Sequence, residues 1–242
     1  MHCPICQDRG IILRGQIAVR CACARQRALV NRFSEAHLSP LMRSHTFASF
    51  DFKYYSRHHC DPIKGRSYYE TARLAYQAAQ EMVERIKAGQ PTDGLLITGQ
   101  VGSGKTFLAC CIANSLLDAG KEVLFLVVPD FLDRIRATYD GGRDEFTERD
   151  LLDTAREVPL LILDDLGAHQ YTPWAQQKIY SILNHRLNYS LPTVVTTNLD
   201  LEELNVYLGE RTTSRLVQMC RVCRLAVDLD IRIASRKAKE GY

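Results

Sequence analysis

From residue 94 onward, short apolar runs alternate with longer stretches whose apolar residues recur every three or four positions. The apolar runs are Gly94–Thr98, Val123–Val128, Leu160–Leu163, Thr193–Thr197 and Arg224–Val227. A strand that is apolar throughout is buried on both faces, so the pattern predicts a parallel sheet covered by helices on either side. Helices are predicted over Lys105–Ala119, Asp130–Tyr139, Thr147–Glu157, Pro173–Asn188, Leu201–Leu208 and Glu210–Cys220. Gly120 stops the first, Asp130 is expected to cap the second, and Thr147 and Asp150 have capping-box spacing. The glycines of Asp140–Asp144 predict a mobile connection. Ahead of the sheet, Ala72, Leu74, Ala75, Ala78, Met82, Val83 and Ile86 mark a helix over Tyr69–Lys87, ended by Gly89 and Pro91.

The N-terminal third differs. Residues 1–35 carry clustered cysteines and end in a predicted helix, Arg25–Phe33. Residues 36–68, rich in His, Ser, Tyr and Phe, read as a linker that lies on the following domain, 69–242. A length of 242 residues suits one full domain plus a smaller piece. With 46% hydrophobic and 24% charged residues the composition is globular, which excludes a collagenous or disordered chain. No apolar run approaches the roughly 20 residues that span a bilayer, and the start lacks the apolar core of a secretory leader. A soluble cytoplasmic protein with no membrane partner is expected. Net charge is only +3, but residues 1–45 hold seven arginines, no lysine and two acids. That face is either simply solvated or meets nucleic acid or an acidic partner.

Nine cysteines in a chain of this kind point to metal or core positions before disulfides. Cys3-x2-Cys6 and Cys21-x-Cys23 form two close pairs joined by a segment containing Gly10 and Gly15. Each pair approaches a metal from one short turn, so these four are candidate Zn²⁺ ligands, and the ion would hold together a module with little core of its own. Four unrelated thiols or a redox switch are the alternatives, and His2 is a further candidate ligand. Cys110, Cys111, Cys220 and Cys223 read as buried small residues, with Cys220 ending a helix and Cys223 beginning a strand; Arg57-His58-His59-Cys60 reads as a surface loop.

The segment Gly99-Gln100-Val101-Gly102-Ser103-Gly104-Lys105-Thr106 follows a predicted strand and opens a helix, the context a phosphate loop requires. Its glycines let backbone N–H groups turn inward toward phosphate oxygens, and the helix N-terminus adds partial positive charge. Lys105 supplies a full charge to the β and γ phosphates of ATP, Thr106 ligates Mg²⁺, and Phe107 borders the bound nucleotide. The second acidic element is Leu160-Leu161-Ile162-Leu163-Asp164-Asp165, where two acids end a buried strand. Asp164 would hold Mg²⁺ and Asp165 would orient or deprotonate the attacking water, unless Asp165 only caps the next turn. Asn198, ending Thr196-Thr197-Asn198, reaches either the γ-phosphate or merely a turn. Phe50, Phe52 and Tyr54 border either the adenine or the core.

Phosphate loop, LILDD, TTN and GERTTSRL (209–216) stand in an order that resembles the AAA+ ATPases, and their wording resembles the DnaC/DnaI family of bacterial helicase loaders over roughly residues 45–240. The Cys pattern is similar to that of its zinc-bearing members. The resemblance implies a three-layer P-loop sandwich with an added zinc module. Asn198 would be the sensor-1 residue. Arg215, with Arg211 as neighbour, would be an arginine finger completing the next protomer's ATP site. Arg232 in Leu229-Asp230-Ile231-Arg232 would be the sensor-2 arginine. Val101 where Pro is frequent, and Ile231 where an aromatic is frequent, depart from the pattern without removing a phosphate ligand. A planar guanidinium from a neighbour makes hydrolysis depend on assembly. In the initiator and loader branch, the Asp130–Glu157 region contacts single-stranded DNA. Arg134, Arg136, Tyr139 and Arg143 are its candidates, with an ordinary surface helix pair as the other reading. The implied function is ATP-dependent loading of a hexameric DnaB-type helicase onto single-stranded DNA, gripped through the zinc module and the arginine-rich helix. A transposase helper of the IstB kind, or a zinc-stabilised adaptor with little hydrolysis, competes.

Overall fold

A computed structural model describes residues 3–7, 9–14, 17–21, 23–24, 28, 38–62, 65–139, 146–168 and 171–240. Strands β1 (Ile11–Arg14) and β2 (Ile17–Arg20) form an antiparallel hairpin beside the first cysteines. After a short helix α1 (Pro40–Arg43) the chain enters α2 (Tyr68–Lys87), β3 (Gly94–Thr98), α3 (Lys105–Asp118), β4 (Val123–Val127) and α4 (Val128–Ala137). Then follow α5 (Glu148–Glu157), β5 (Leu160–Asp164), α6 (Pro173–Asn188), β6 (Thr193–Thr197), α7 (Leu201–Leu208), α8 (Glu210–Met219), β7 (Cys220–Arg224) and α9 (Ile231–Glu240). The helix expected over 25–33 falls, Ala28 apart, outside the described residues, as does the Asp140–Asp144 connection.

The large sheet is parallel throughout, in the order β4-β5-β6-β3-β7. Its strands alternate between two cores, as the period of a pleated strand requires. Leu96, Leu124, Leu126, Leu161, Leu163 and Val195 face the layer of α4–α8. Leu95, Ile97, Val123, Phe125, Leu160, Ile162 and Val194 face α2 and α3. This is the three-layer arrangement expected from the sequence. Thr147 and Asp150 make the expected capping box, and Ser67 and Glu70 make another that starts α2.

The start of α4 and the position of the last strand differ from expectation. Val128 and Pro129 belong to α4, and its cap position is Val127, so Asp130 lies inside the first turn. Proline is tolerated there because its missing N–H would have had no helical partner. The last strand is Cys220–Arg224, beginning four residues ahead of the expected Arg224–Val227. Cys220 therefore begins a strand and Cys223 lies within it; both are buried, as expected. Parallel register sets Cys220 opposite Gly94, where a Cβ would stand 2.8 Å from the Cys220 sulfur, so the glycine makes room for this strand. Leu225 instead continues past the sheet, its N–H donating to the Thr98 carbonyl at 2.8 Å.

Apart from α1 and the 3₁₀ turns Phe47–Ser49 and Phe52–Tyr54, residues 38–62 are irregular and lie on the α/β unit, to which they are firmly fastened. Leu38, Phe50 and Tyr55 enter the α2–α3 core. The Asn114 amide, on α3, donates to the carbonyls of Met42 (2.9 Å) and His45 (2.8 Å), and Tyr76 donates to Phe47 (3.0 Å). Fully buried Asp61 pairs with Arg224 at 2.8 Å, and exposed His59 meets Asp228 at 2.5 Å.

Candidate nucleotide and metal sites

The phosphate loop leaves the carboxyl end of β3 and feeds α3, with Lys105 as that helix's first residue. Gly102 (φ 73°) and Gly104 (φ 91°) take left-handed conformations that L side chains rarely adopt, which is why the curl needs glycine. Close neighbours also exclude side chains: a Cβ on Gly104 would stand 2.7 Å from the Tyr55 hydroxyl, and one on Gly99 would overlap the Leu225 carbonyl. Tyr55 donates to the Ser103 carbonyl at 2.8 Å, and Gln100 donates to the Val227 carbonyl. Val101 is exposed at the tip. Ser103 is fully buried, and its hydroxyl has no partner among the described residues, an orphaned donor that fits a phosphate-receiving cradle.

Lys105 is buried and donates to the Gln100 carbonyl at 2.8 Å. Burial pulls its ammonium down to about 8, against the opposing attraction of Asp165 and Asp164. The Thr106 hydroxyl donates to both oxygens of Asp164 (3.0 and 3.2 Å), and the Thr196 hydroxyl donates to one of them at 2.6 Å. Burial pushes the Asp164 carboxyl up, and the two hydroxyls pull it back. Asp165 has φ 60°, a rare value away from glycine that Asp tolerates best. Its N–H donates to the Thr196 oxygen at 2.9 Å and its carboxylate accepts from the Asn198 amide at 3.2 Å. Thr106, Asp164, Thr196, Asp165 and Asn198 thus form one chain of contacts. Thr106 and Asp164 together are a hard oxygen pair of the sort that suits Mg²⁺ beside phosphates.

Phe107 stacks on His45 (centroids 4.2 Å apart) and turns its edge to Phe50. Burial holds the His45 ring below its usual value. Phe50 is core, whereas Phe52 also borders a cleft of about 480 Å³ together with Lys53, Tyr55, Ser56, Arg57 and Tyr69. Tyr54 packs, half-buried, against the same core. Arg232 is exposed at the start of α9, close enough to the loop to add its charge to the field at Lys105. Arg215, on α8, lies elsewhere, over the Tyr180 ring of α6, with its Nε buried and without a partner among the described residues; Arg211 is exposed, also on α8.

In the N-terminal module, the sulfurs of Cys3, Cys6, Cys21 and Cys23 all lie within 4.8 Å of one another. Cys3 and Cys21 are 3.7 Å apart, Cys6 and Cys23 3.2 Å, and Gly10 N–H donates to the Cys6 sulfur at 3.3 Å. Tetrahedral zinc with Zn–S bonds of about 2.3 Å needs sulfurs about 3.8 Å apart, so the donor set fits the ion. The backbone N–H of Cys6 helps draw the Cys3 thiol down to about 6. Of the candidate DNA contacts, Arg136 and Tyr139 gather round Trp174, whose indole donates to the Tyr139 hydroxyl at 3.3 Å. Arg134 lies on the same helix, and Arg143 is outside the described residues.

Local sequence gave no signal for Tyr55, whose partner is 48 residues away. Thr196 was legible as part of TTN, but its bond to Asp164 depends on β5 and β6 being neighbours.

A parallel sheet with a phosphate loop after β3, one strand removed from β5 and its terminal acid, defines a P-loop nucleotide-binding fold. The chain belongs to the family of IstB-like ATP binding proteins, whose pattern it matches over residues 20–237. It is 32% identical to the replicative helicase loader DnaC of Escherichia coli K12 over 142 residues, 59% of this chain and 56% of that protein. It is 30% identical to the replicative helicase loader DnaI of Bacillus subtilis over 137 residues, 56% of this chain and 43% of that protein. Each match thus spans about half of the relative's length. A crystal structure of the DnaC helicase loader superposes with a TM-score of 0.60 at 23% identity, over 78% of this chain and 100% of that one. No described helix is long and apolar enough to cross a membrane.

Proposed function

We propose that this protein is an ATPase that loads a replicative hexameric helicase of the DnaB type onto single-stranded DNA. The observation that carries the reading is the linked set Thr106–Asp164–Thr196–Asp165–Asn198 beside buried Lys105. The names of the loader relatives support the choice of partner.

Lys105 leaves the Gln100 carbonyl and donates to β- and γ-phosphate oxygens, which bind among the backbone N–H groups of residues 99–106. A magnesium ion held through Thr106 and Asp164 would neutralise charge on those oxygens. Asp165, turned by its left-handed backbone and steadied by Asn198, accepts the proton of the attacking water or orients it. Arg232 stabilises charge on the γ-phosphate of its own chain. Arg215 of one protomer serves the site of the next, a role consistent with an Nε that has no partner among the described residues. Hydrolysis then waits for assembly. Residues 1–35, held by zinc on Cys3, Cys6, Cys21 and Cys23, grip the helicase, while Arg134, Arg136, Tyr139 and Arg143 meet DNA.

The test is co-elution of the full chain with the host's replicative helicase, with and without ATP. A nucleotide-sensitive complex, lost in the Lys105→Ala variant, is expected. No complex in any nucleotide state, together with co-elution with a transposase, overturns the loader reading in favour of a transposition helper.

A further inference from the structure

The linker between β7 and α9 runs back to the phosphate loop and places an acid against it. Asp230 immediately precedes α9, and its Oδ1 accepts from the Arg232 N–H at 2.8 Å. The next residue, Ile231, donates its N–H to the Gly102 carbonyl at 3.0 Å, which pins the turn to the loop. The carboxylate of Asp230 consequently rests on Gly102, and a Cβ at that glycine would overlap it. Asp230 is mostly buried, its side chain 23% exposed. Its charge reaches Lys105, where it opposes the effect of Arg232. Arg232 pairs with it only loosely, at 3.8 Å, through a guanidinium that is 77% exposed and screened by water.

The cap bond does not require the charge, and the helix dipole favours a carboxylate there only modestly. Asn and Ser cap a helix about as well as Asp. A negative group is instead a liability on a loop that receives phosphates, because like charges at short range repel.

We propose that Asp230 is a specificity-determining residue of the nucleotide site, whose negative charge disfavours bare nucleotide phosphates and so makes tight binding depend on a divalent cation. The inference rests on the nucleotide reading of the loop. Metal-free ATP and ADP meet both the carboxylate and the acids at 164 and 165. Nucleotide complexed with magnesium carries less negative charge, and its repulsion from Asp230 is correspondingly weaker. By the same rule Lys105 attracts the bare form more strongly and works against this discrimination, so removing the Asp230 charge alone isolates the carboxylate's share.

The experiment is titration of the full chain with a fluorescent ATP analogue and with the corresponding ADP analogue at pH 7, in magnesium and in EDTA. Asp230→Asn keeps a capping oxygen and removes the charge; Asp230→Ser is the second variant. Both are expected to tighten binding in EDTA by about five- to tenfold, with less than about a twofold change in magnesium and an unaltered melting temperature. Affinity in EDTA that is unchanged or weaker in both variants overturns the proposal and leaves Asp230 as a cap. Equal tightening with and without magnesium also overturns it, because the charge then does not discriminate. Wild-type protein that binds no nucleotide under either condition, like Lys105→Ala, overturns the nucleotide reading itself.

Discussion

Replacing Arg186 with methionine removes the most heavily bonded side chain of the sheet's far end. Arg186 is fully buried on α6. Its Nη1 donates to the carbonyls of Ala155 (3.1 Å), Arg156 (3.2 Å) and Val158 (2.8 Å), its Nη2 to Pro192 (2.6 Å), and its Nε to the Thr193 hydroxyl (2.8 Å). The first three carbonyls close α5 and lead into β5; the last two partners open β6. One guanidinium therefore ends a helix, where a cation also suits the helix dipole, and aligns two strands. Burial pulls its pKa down to about 9, so it is still charged at pH 7. Methionine fills similar space and relieves the buried charge but strands buried carbonyls, at about 1–3 kcal/mol each. Thr193 keeps a partner in the Leu191 carbonyl, and some carbonyls reach water after relaxation. The net cost is about 3–5 kcal/mol, a large share of the roughly 5–15 kcal/mol that holds a domain together. Urea unfolding followed by circular dichroism should show the midpoint falling by about 1–2 M with an unchanged slope. A fall below about 0.3 M would refute the reasoning, because the carbonyls would then have found other donors at no cost. Nucleotide binding by the folded fraction should be normal, since the phosphate loop leaves the opposite end of the sheet.

Lys105 sets a pH limit on the same binding. With its folded pKa drawn down to about 8, the ammonium loses its proton as pH rises through that value, and phosphate binding must then take one up. Nucleotide affinity should be level below about pH 8 and fall above it by up to tenfold per unit, whereas the residual binding of Lys105→Arg should stay level to about pH 10; a flat wild-type profile refutes a lowered pKa of the Lys105 ammonium. Metal analysis of protein purified under reducing, chelator-free conditions should give close to one zinc per chain, and Cys21→Ser should lose most of it. A wild-type content near zero rejects the four-thiolate site.

Hydrophobic patterning, with motif chemistry, was enough for the α/β class, the phosphate loop and the acids at 164 and 165. Those features depend on local periods and on residues adjacent in the chain, where a glycine-rich turn between strand and helix has few other uses. The paired cysteines were legible for a similar reason, two short turns at fixed spacing. The boundary of β7 was not, because CRVCR is neither apolar nor alternating in an obvious way. Its strand identity comes from pairing with β3 across Gly94, whose missing side chain admits Cys220. Tyr55, Arg186 and Asp230 were equally silent. Each acts on partners distant in sequence: Tyr55 on Ser103, Arg186 on the end of α5, Asp230 on Gly102. Sequence thus determined which groups touch phosphate, since that chemistry demands particular residue types in a row. The tertiary fold alone decided which groups hold that row in place and set its charge, because burial and close approach are properties of neighbours in space.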